Sequence, residues 1–250
     1  MDPVLRMWVE STFSVAYLLT VWGLVIAMWQ RHSRSAVVHR ELTALFILIF
    51  GLLALGDTGH TGFRVVAYAL GNLEHTISLF GASWRLVGLG SFSTAVTITL
   101  FYIIMLIIWH RRFEQPYGAL SLISFAAGAV RLIVMLFPQN QWGGGESVAQ
   151  AAYIWYLLRN ALLTIQGLIV AYLILRDALA RQDGAFKWMG IMILISYGCY
   201  LPTLLFQREV PMISMLMIPK TLAYLGVGFI AFNALFQAPQ QATQPQSAGS

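Results

Sequence analysis

Seven apolar runs of membrane-spanning length follow one another along the chain, separated by short polar segments. A helix needs about 20 mostly apolar residues to cross the hydrocarbon core of a bilayer. The pattern therefore predicts seven transmembrane helices, at about residues 8–29, 42 into the segment 51–64, 83–109, 117–137, 150–175, 188–206 and 212–236. Residues 63–82 mix apolar and polar positions and predict a structured loop or a short interfacial helix.

Composition supports this pattern. The 250 residues are 58% hydrophobic and only 10% charged, whereas soluble domains carry about 25% charged residues. We therefore expect an all-α integral membrane protein in which residues 1–237 form one seven-helix domain. The Gln- and Pro-rich tail, residues 238–250, cannot bury enough apolar surface to fold and is expected to be disordered.

The distribution of basic residues predicts the orientation. The loops after helices 1, 3 and 5 hold eight lysines and arginines, while the loop after helix 4 has none and the loop after helix 6 has only Arg208. The positive-inside rule then places the amino terminus outside and the carboxyl terminus in the cytoplasm. We expect a multi-pass protein of the plasma (inner) membrane. Topology explains the net charge of +5 better than a nucleic-acid partner does.

The second apolar run turns polar at its end, in the segment 51–64. Asp57, His60 and Arg64 are spaced three and four apart, which places them on one face of a helix. Ionisable groups at membrane depth are costly unless they meet partners in a protein interior or a wet cavity. Gly56, Gly59 and Gly62 recur in the same segment, and small residues of this kind let helices 2 and 3 pack closely.

Six of the predicted helices place polar or ionisable groups in the outer half of the bilayer. Two of these groups, Glu10 and Arg85, lie near the outer end of helix 1 and at the start of helix 3. The others form the predicted binding site: Asp57, His60, Arg64, Arg131, Arg159, Asn160 and Lys220. Positive charge is in excess, which indicates an anionic guest in a cavity open to the outside. A structural role is equally compatible with several of them, since arginines near helix ends can snorkel to the headgroups.

Lys220 has a second interpretation, because a buried lysine can lose its proton and act as a nucleophile. A lysine in helix 7 of a seven-helix protein looks like the retinal-linking lysine of rhodopsins, and Cys199-Tyr200-Leu201-Pro202 resembles the aromatic-proline kink of opsin helix 6. The resemblance implies retinal bound at Lys220. The sequence departs from that family in having Leu216 one turn before the lysine and no acid between Leu86 and Thr99 in helix 3.

A membrane-embedded hydrolase is the third interpretation. Asp57, His60, Glu74 and His75 are zinc ligands by residue type, and seven-helix ceramidase-like hydrolases use such residues. That family also takes a histidine pair from helix 7, whereas the histidines of this chain stop at His110. An acid–base dyad of Asp57 and His60 without metal remains open, in a lipid hydrolase or a transporter.

The favoured prediction is a receptor- or sensor-like module. It would bind a small anionic or amphipathic ligand in a polar cavity in the outer half of the bundle, with membrane lipids around it. Serine-nucleophile and phosphate-loop motifs are absent from the sequence, which favours a binding protein over an enzyme. The cofactor is left open, with retinal at Lys220 as the named alternative, and no metal is assigned.

Overall fold

The computed structural model describes residues 3–33, 40–71, 75–79, 82–142 and 150–237. Within these ranges each predicted apolar run is a helix. The helices are α1 Pro3–His32, α2 Arg40–Ala69, α3 Leu86–Phe113, α4 Ala119–Met135, α5 Gln150–Ala180, α6 Gly184–Phe206 and α7 Met217–Leu235. Short 3₁₀ segments at Pro138–Asn140 and Pro211–Leu216 precede α5 and α7. The expected disordered tail, 238–250, lies outside the described residues.

Six of these helices are long and apolar enough to cross a membrane, and α4 is a shorter apolar helix of 17 residues. The predicted class, a helical multi-pass membrane protein, is confirmed to that extent. Seven spans, the orientation and the identity of the membrane remain predictions.

Helices adjacent in sequence pack against each other, and α7 closes the bundle by returning to α1 and α2. Helix α3 contacts α2, α4 and α5. The tightest contact is between α2 and α3. A Cβ on Gly56 would overlap Thr97, and a Cβ on Gly90 would lie 2.9 Å from the Cα of His60. The predicted close packing of helices 2 and 3 is therefore confirmed.

The segment between α2 and α3 differs from the prediction. Helix α2 continues to Ala69, and the expected loop or interfacial helix is instead an antiparallel hairpin of β1, Thr76–Leu79, and β2, Ala82–Arg85. Polar and apolar residues alternate in β1, as a half-buried strand requires. Strand pairing satisfies backbone groups that a loop would leave to water. We call the end of the bundle that carries this hairpin the hairpin end.

The opposite end is fastened by charged and aromatic contacts among α3, α5 and α6. Arg112 Nη2 lies 2.8 Å from Asp183 Oδ2, and Asp183 also caps α6 by accepting from the Phe186 amide at 3.1 Å. The indole of Trp109 donates to Asp177 at 2.7 Å. Asp177 lies beyond the predicted end of helix 5, so its role was not foreseen.

Candidate functional site

Asp57 lies on α2 and faces α1 and α7. The hydroxyl of Tyr17 on α1 donates to Asp57 Oδ2 at 2.7 Å. The ammonium of Lys220 interacts electrostatically with the carboxylate, yet among the described residues the two groups form no ion pair. The hydrogen-bonding neighbours of Asp57 are hydroxyl groups, those of Tyr17 and Thr94.

Lys220 lies in the first turn of α7. Its Nζ sits 4.2 Å from the centroid of the Tyr200 ring, a cation–π contact with α6. Considering only described residues, the ammonium makes no hydrogen bond and no ion pair. An ammonium has three N–H donors, and leaving them unfilled away from water is costly. All three N–H donors of Lys220 are thus without a partner among the described residues.

Arg131 on α4 is almost completely buried, at 2% exposure. Its Nε donates to the Arg159 carbonyl at 2.8 Å and its Nη1 to the Ala95 carbonyl at 2.6 Å, with a further contact from Nη1 to Thr99 Oγ1. These bonds tie α4 to α5 and α3. Its Nη2 has no hydrogen-bond partner among the described residues, so the guanidinium is both a structural clamp and a donor with spare capacity.

Arg159 on α5 points toward the hairpin end. Its Nη1 donates to Asn140 Oδ1 at 3.0 Å, and its guanidinium lies 3.9 Å from the Trp142 ring centroid and 5.3 Å from that of Tyr156. These contacts hold the segment before α5 against the helix. Asn160, the next residue, is buried and its carbonyl accepts from Thr164. Arg159 therefore also holds the segment 138–142 in place.

His60 and Arg64 do not join Asp57 in one hydrogen-bonded group. The buried Nδ1 of His60 has no hydrogen-bond partner among the residues that the structure describes. Arg64 is exposed at the hairpin end of α2. The proposed Asp57–His60 dyad therefore has no contact to support it, since the carboxylate bonds to Tyr17 instead.

Three tyrosines that the sequence did not single out lie together in the interior of the bundle. The hydroxyls of Tyr102 on α3 and Tyr224 on α7 lie 2.7 Å apart, and the hydroxyl of Tyr197 on α6 donates to the Leu163 carbonyl at 2.8 Å. The rings of Tyr102 and Tyr197 are 5.9 Å apart. Arg131 lies within electrostatic range of Tyr197, Tyr200 and Tyr224. One feature of the sequence could have indicated this group: Tyr224 follows Lys220 by one helical turn.

Of the predicted residues, Lys220 is the one that interacts electrostatically with both Asp57 and Arg131, and tyrosines contact two of the three: Tyr17 bonds to Asp57 and the Tyr200 ring lies against Lys220. No three His, Cys, Asp or Glu side chains in the searched, described ranges could hold a metal ion, and Glu74 lies outside those ranges. Comparison of the chain with models of known protein families, with curated proteins and with solved structures found no match.

Proposed function

We propose that this multi-pass membrane protein binds a small anionic ligand with an apolar or aromatic body inside its helix bundle, between Lys220 and Arg131. One observation carries the proposal: these two cations of the helix bundle have N–H donors that no described residue fills. Charged donors inside a membrane protein are expensive unless paired. An anion that accepts from both cations would remove that cost.

Charge balance indicates the kind of anion. Lys220 interacts electrostatically with one carboxylate, Asp57, which already accepts from Tyr17, whereas the contacts of Arg131 among the described residues are with carbonyl and hydroxyl oxygens. One positive charge is left over, and a monoanion neutralises it. The ring of Tyr200, 4.2 Å from Lys220 Nζ, provides aromatic surface for the ligand body. Binding sites for small molecules commonly combine such apolar walls with a few placed polar groups.

A receptor- or sensor-like role is the form of this function that we favour. A ligand held between Lys220 on α7 and Arg131 on α4 would connect two helices that do not pack directly against each other. Such a ligand would bind more tightly to the arrangement of helices in which both cations contact it. Binding would therefore shift the bundle toward that arrangement. Under the predicted orientation the ligand arrives from outside and the charged end of α3, α5 and α6 faces the cytoplasm.

Binding of radiolabelled benzoate by the purified protein in nanodiscs tests the proposal. Benzamide, which has the same shape without the charge, is the ligand control. Lys220→Met is expected to abolish saturable benzoate binding, Lys220→Arg to keep part of it, and Lys187→Met to leave it unchanged. Lys187 is a matched control because it is the other lysine of the chain and lies at the opposite end.

Thermal unfolding of each variant shows whether a loss of binding is caused by misfolding. Phenyl phosphate and dodecanoate extend the test to a second anionic group and to a longer apolar body. If the wild-type protein binds none of these three anions more tightly than benzamide, the proposal is wrong. Equal loss of binding in the Lys187 and Lys220 variants would also contradict it.

Retinal at Lys220 is the second candidate, and one observation favours it. A protonated Schiff base in a bundle needs a counterion, and Asp57 on α2 faces Lys220 although helix 3 offers no acid. We expect Lys220 to remain a free amine, since Asp57 is engaged by Tyr17. Addition of all-trans retinal followed by borohydride would decide the matter. A coloured adduct trapped at Lys220, and lost in Lys220→Ala, would replace the first proposal by this one.

A further inference from the structure

The carboxyl group of Asp57 differs from those of Asp177 and Asp183 in its partners. The hydroxyl of Tyr17 on α1 donates to Asp57 Oδ2 at 2.7 Å, and the other hydrogen-bonding neighbour is the hydroxyl of Thr94 on α3. Asp177 and Asp183, at the opposite end of the bundle, each lie 2.8 Å from an arginine. Within the described part of the chain Asp57 has no such ion pair. A negative charge on Asp57 would therefore be held by hydroxyl groups alone.

The position of Lys220 is a second observation. Its Nζ lies 4.2 Å from the centroid of the Tyr200 ring. Among the described residues it forms no ion pair with Asp57, although the two side chains are close enough to interact electrostatically. An ammonium and an ionised carboxylate attract each other strongly where water is excluded, and acids at membrane depth usually pair with cations. A lysine that rests on an aromatic ring instead is the arrangement expected near a neutral acid.

The direction of the hydrogen bonds is a third observation. Thr94 Oγ1 lies 3.1 Å from the carbonyl oxygen of Gly56 and 3.5 Å from that of Gly90. A threonine hydroxyl has one proton, and a carbonyl oxygen can only accept. With that proton directed at a carbonyl, Thr94 offers Asp57 an acceptor, which a protonated carboxyl group can use and a carboxylate cannot. The bonds then run in one direction, from Tyr17 through Asp57 to Thr94 and its carbonyl.

We propose that Asp57 is a proton-binding site and that it carries its proton at neutral pH. The proton comes from water and returns to water, and no other covalent bond forms or breaks. Loss of the proton leaves a carboxylate that needs donors, so the hydroxyl of Thr94 would turn from Gly56 toward Asp57. The charge state of Asp57 thus determines a contact between α2 and α3, which makes the site a pH-dependent element of the bundle.

The groups that face Asp57 come from three other helices. Helix α1 contributes Tyr17, and α7 contributes Lys220 and Tyr224. The neighbour on α3 is a hydroxyl that does not titrate, and the buried Nδ1 of His60, on α2 itself, has no partner among the described residues. The proton site does not depend on the proposed ligand, because positive charge is in excess with Asp57 ionised and more so with Asp57 neutral. Either form therefore admits an anion.

Infrared spectroscopy of the protein in dodecyl maltoside micelles, which contain no ester carbonyl, tests the proposal. The carbonyl stretch of a protonated carboxyl group is separate from the bands of a carboxylate. At neutral pH we expect this stretch in the wild-type protein, its shift in D₂O, and its loss in Asp57→Asn. Asparagine is the matched replacement, since its amide oxygen accepts from Tyr17 and its NH₂ group donates to Thr94. Asp177→Asn is the control and should keep the band, because Asp177 is ion-paired.

Unfolding measured against pH gives an independent readout. An unfolded chain ionises its aspartates above about pH 4, so a folded protein that holds this proton releases it on unfolding. Between that pH and the pH at which the infrared band disappears, the unfolding equilibrium constant should rise about tenfold per pH unit through Asp57. The difference in slope between the wild-type protein and Asp57→Asn isolates this effect. Asp177→Asn should keep the wild-type slope.

Absence of the protonated-carboxyl band at neutral pH, or its persistence in Asp57→Asn, would overturn the proposal, and so would equal pH slopes in these two proteins. Should Asp57→Asn fail to fold, Tyr17→Phe takes its place. Removal of the donor should move the band to higher frequency, because the carbonyl loses a hydrogen bond, and an unmoved band would reject Asp57 as its source. Thr20→Val is the control, since it removes a hydroxyl of α1 that donates to the Ala16 carbonyl at 2.7 Å.

Discussion

Replacing Arg131 with methionine measures how much of the bundle's stability depends on one buried cation. The change removes donors to Arg159 O, Ala95 O and Thr99 Oγ1, which connect α4 to α5 and α3, while Ser124 on α4 still donates to the Gln166 carbonyl on α5 at 3.3 Å. Interhelical hydrogen bonds in membrane proteins contribute about 0.6 kcal/mol on average and about 1.7 kcal/mol at most. Three of them correspond to roughly 2 to 5 kcal/mol of unfolding free energy.

The lower part of that range is the expected result. Methionine fills much of the same volume, and its introduction removes the cost of burying a charge, which offsets part of the loss. The hydroxyl of Thr99 also keeps an acceptor, because it donates to the Ala95 carbonyl at 2.7 Å. We therefore expect Arg131→Met to reduce the unfolding free energy by about 2 kcal/mol. Arg131→Lys should lie in between, since one ammonium cannot reach acceptors on both α3 and α5.

Equilibrium unfolding in mixed micelles, followed by circular dichroism, provides the measurement. Arg111→Met is the control, since Arg111 is an exposed arginine whose ion pair with Glu41 should contribute no more than about 1 kcal/mol. A double-mutant cycle with Thr99→Ala should reveal coupling between the two positions. If Arg131→Met is neutral or stabilising, the clamp is not a stabilising element and the account of α4 given above is wrong.

Three further predictions follow from other parts of the structure. Gly167→Ala should destabilise the protein by about 1 to 3 kcal/mol in equilibrium unfolding, because the new Cβ would overlap the hydroxyl and ring of Tyr197. Gly198→Ala, where nothing lies within 4 Å, should be neutral or stabilising in the same measurement. Asp183→Ala should lose about 1 to 3 kcal/mol and Asp183→Asn clearly less, because asparagine still caps α6. Reporters fused to each terminus should place the amino terminus outside and the carboxyl terminus in the cytoplasm, and finding both on one side would reject the seven-span topology.

The helices could be predicted because length and apolarity alone determine a membrane-spanning segment. Even Pro202 leaves α6 continuous from Gly184 to Phe206. The hairpin could not be predicted with the same ease, since residues 63–82 carry no apolar run of membrane-spanning length and contain the end of α2, all of β1 and only the first residue of β2. Pairing between short strands depends on how the ends of α2 and α3 are placed, which local sequence does not specify.

The candidate site, like the fold, could be predicted only in part from the sequence. Intramembrane charge directed attention to Asp57, Arg131 and Lys220, and Lys220 interacts electrostatically with the other two. The partners were not foreseen, because Arg131 bonds chiefly to backbone carbonyls and a carbonyl has no residue identity to read from sequence. Tyr17 lies forty positions from Asp57, so only the packing of α1 on α2 reveals their hydrogen bond. Whether these residues bind a ligand remains a prediction.

The close contact of α2 and α3 limits the substitutions that this sequence can accept during evolution. At Gly56, Gly59 and Gly90 any side chain would push into Thr97, Ser93 or the backbone of His60, so these positions accept almost no replacement. Exposed positions on the same helix, such as Leu48 and Leu55, face outward and can exchange freely among apolar residues. Descendants of this chain should therefore retain a sparse set of glycines in α2 and α3 long after their outward-facing surfaces have lost all recognisable similarity.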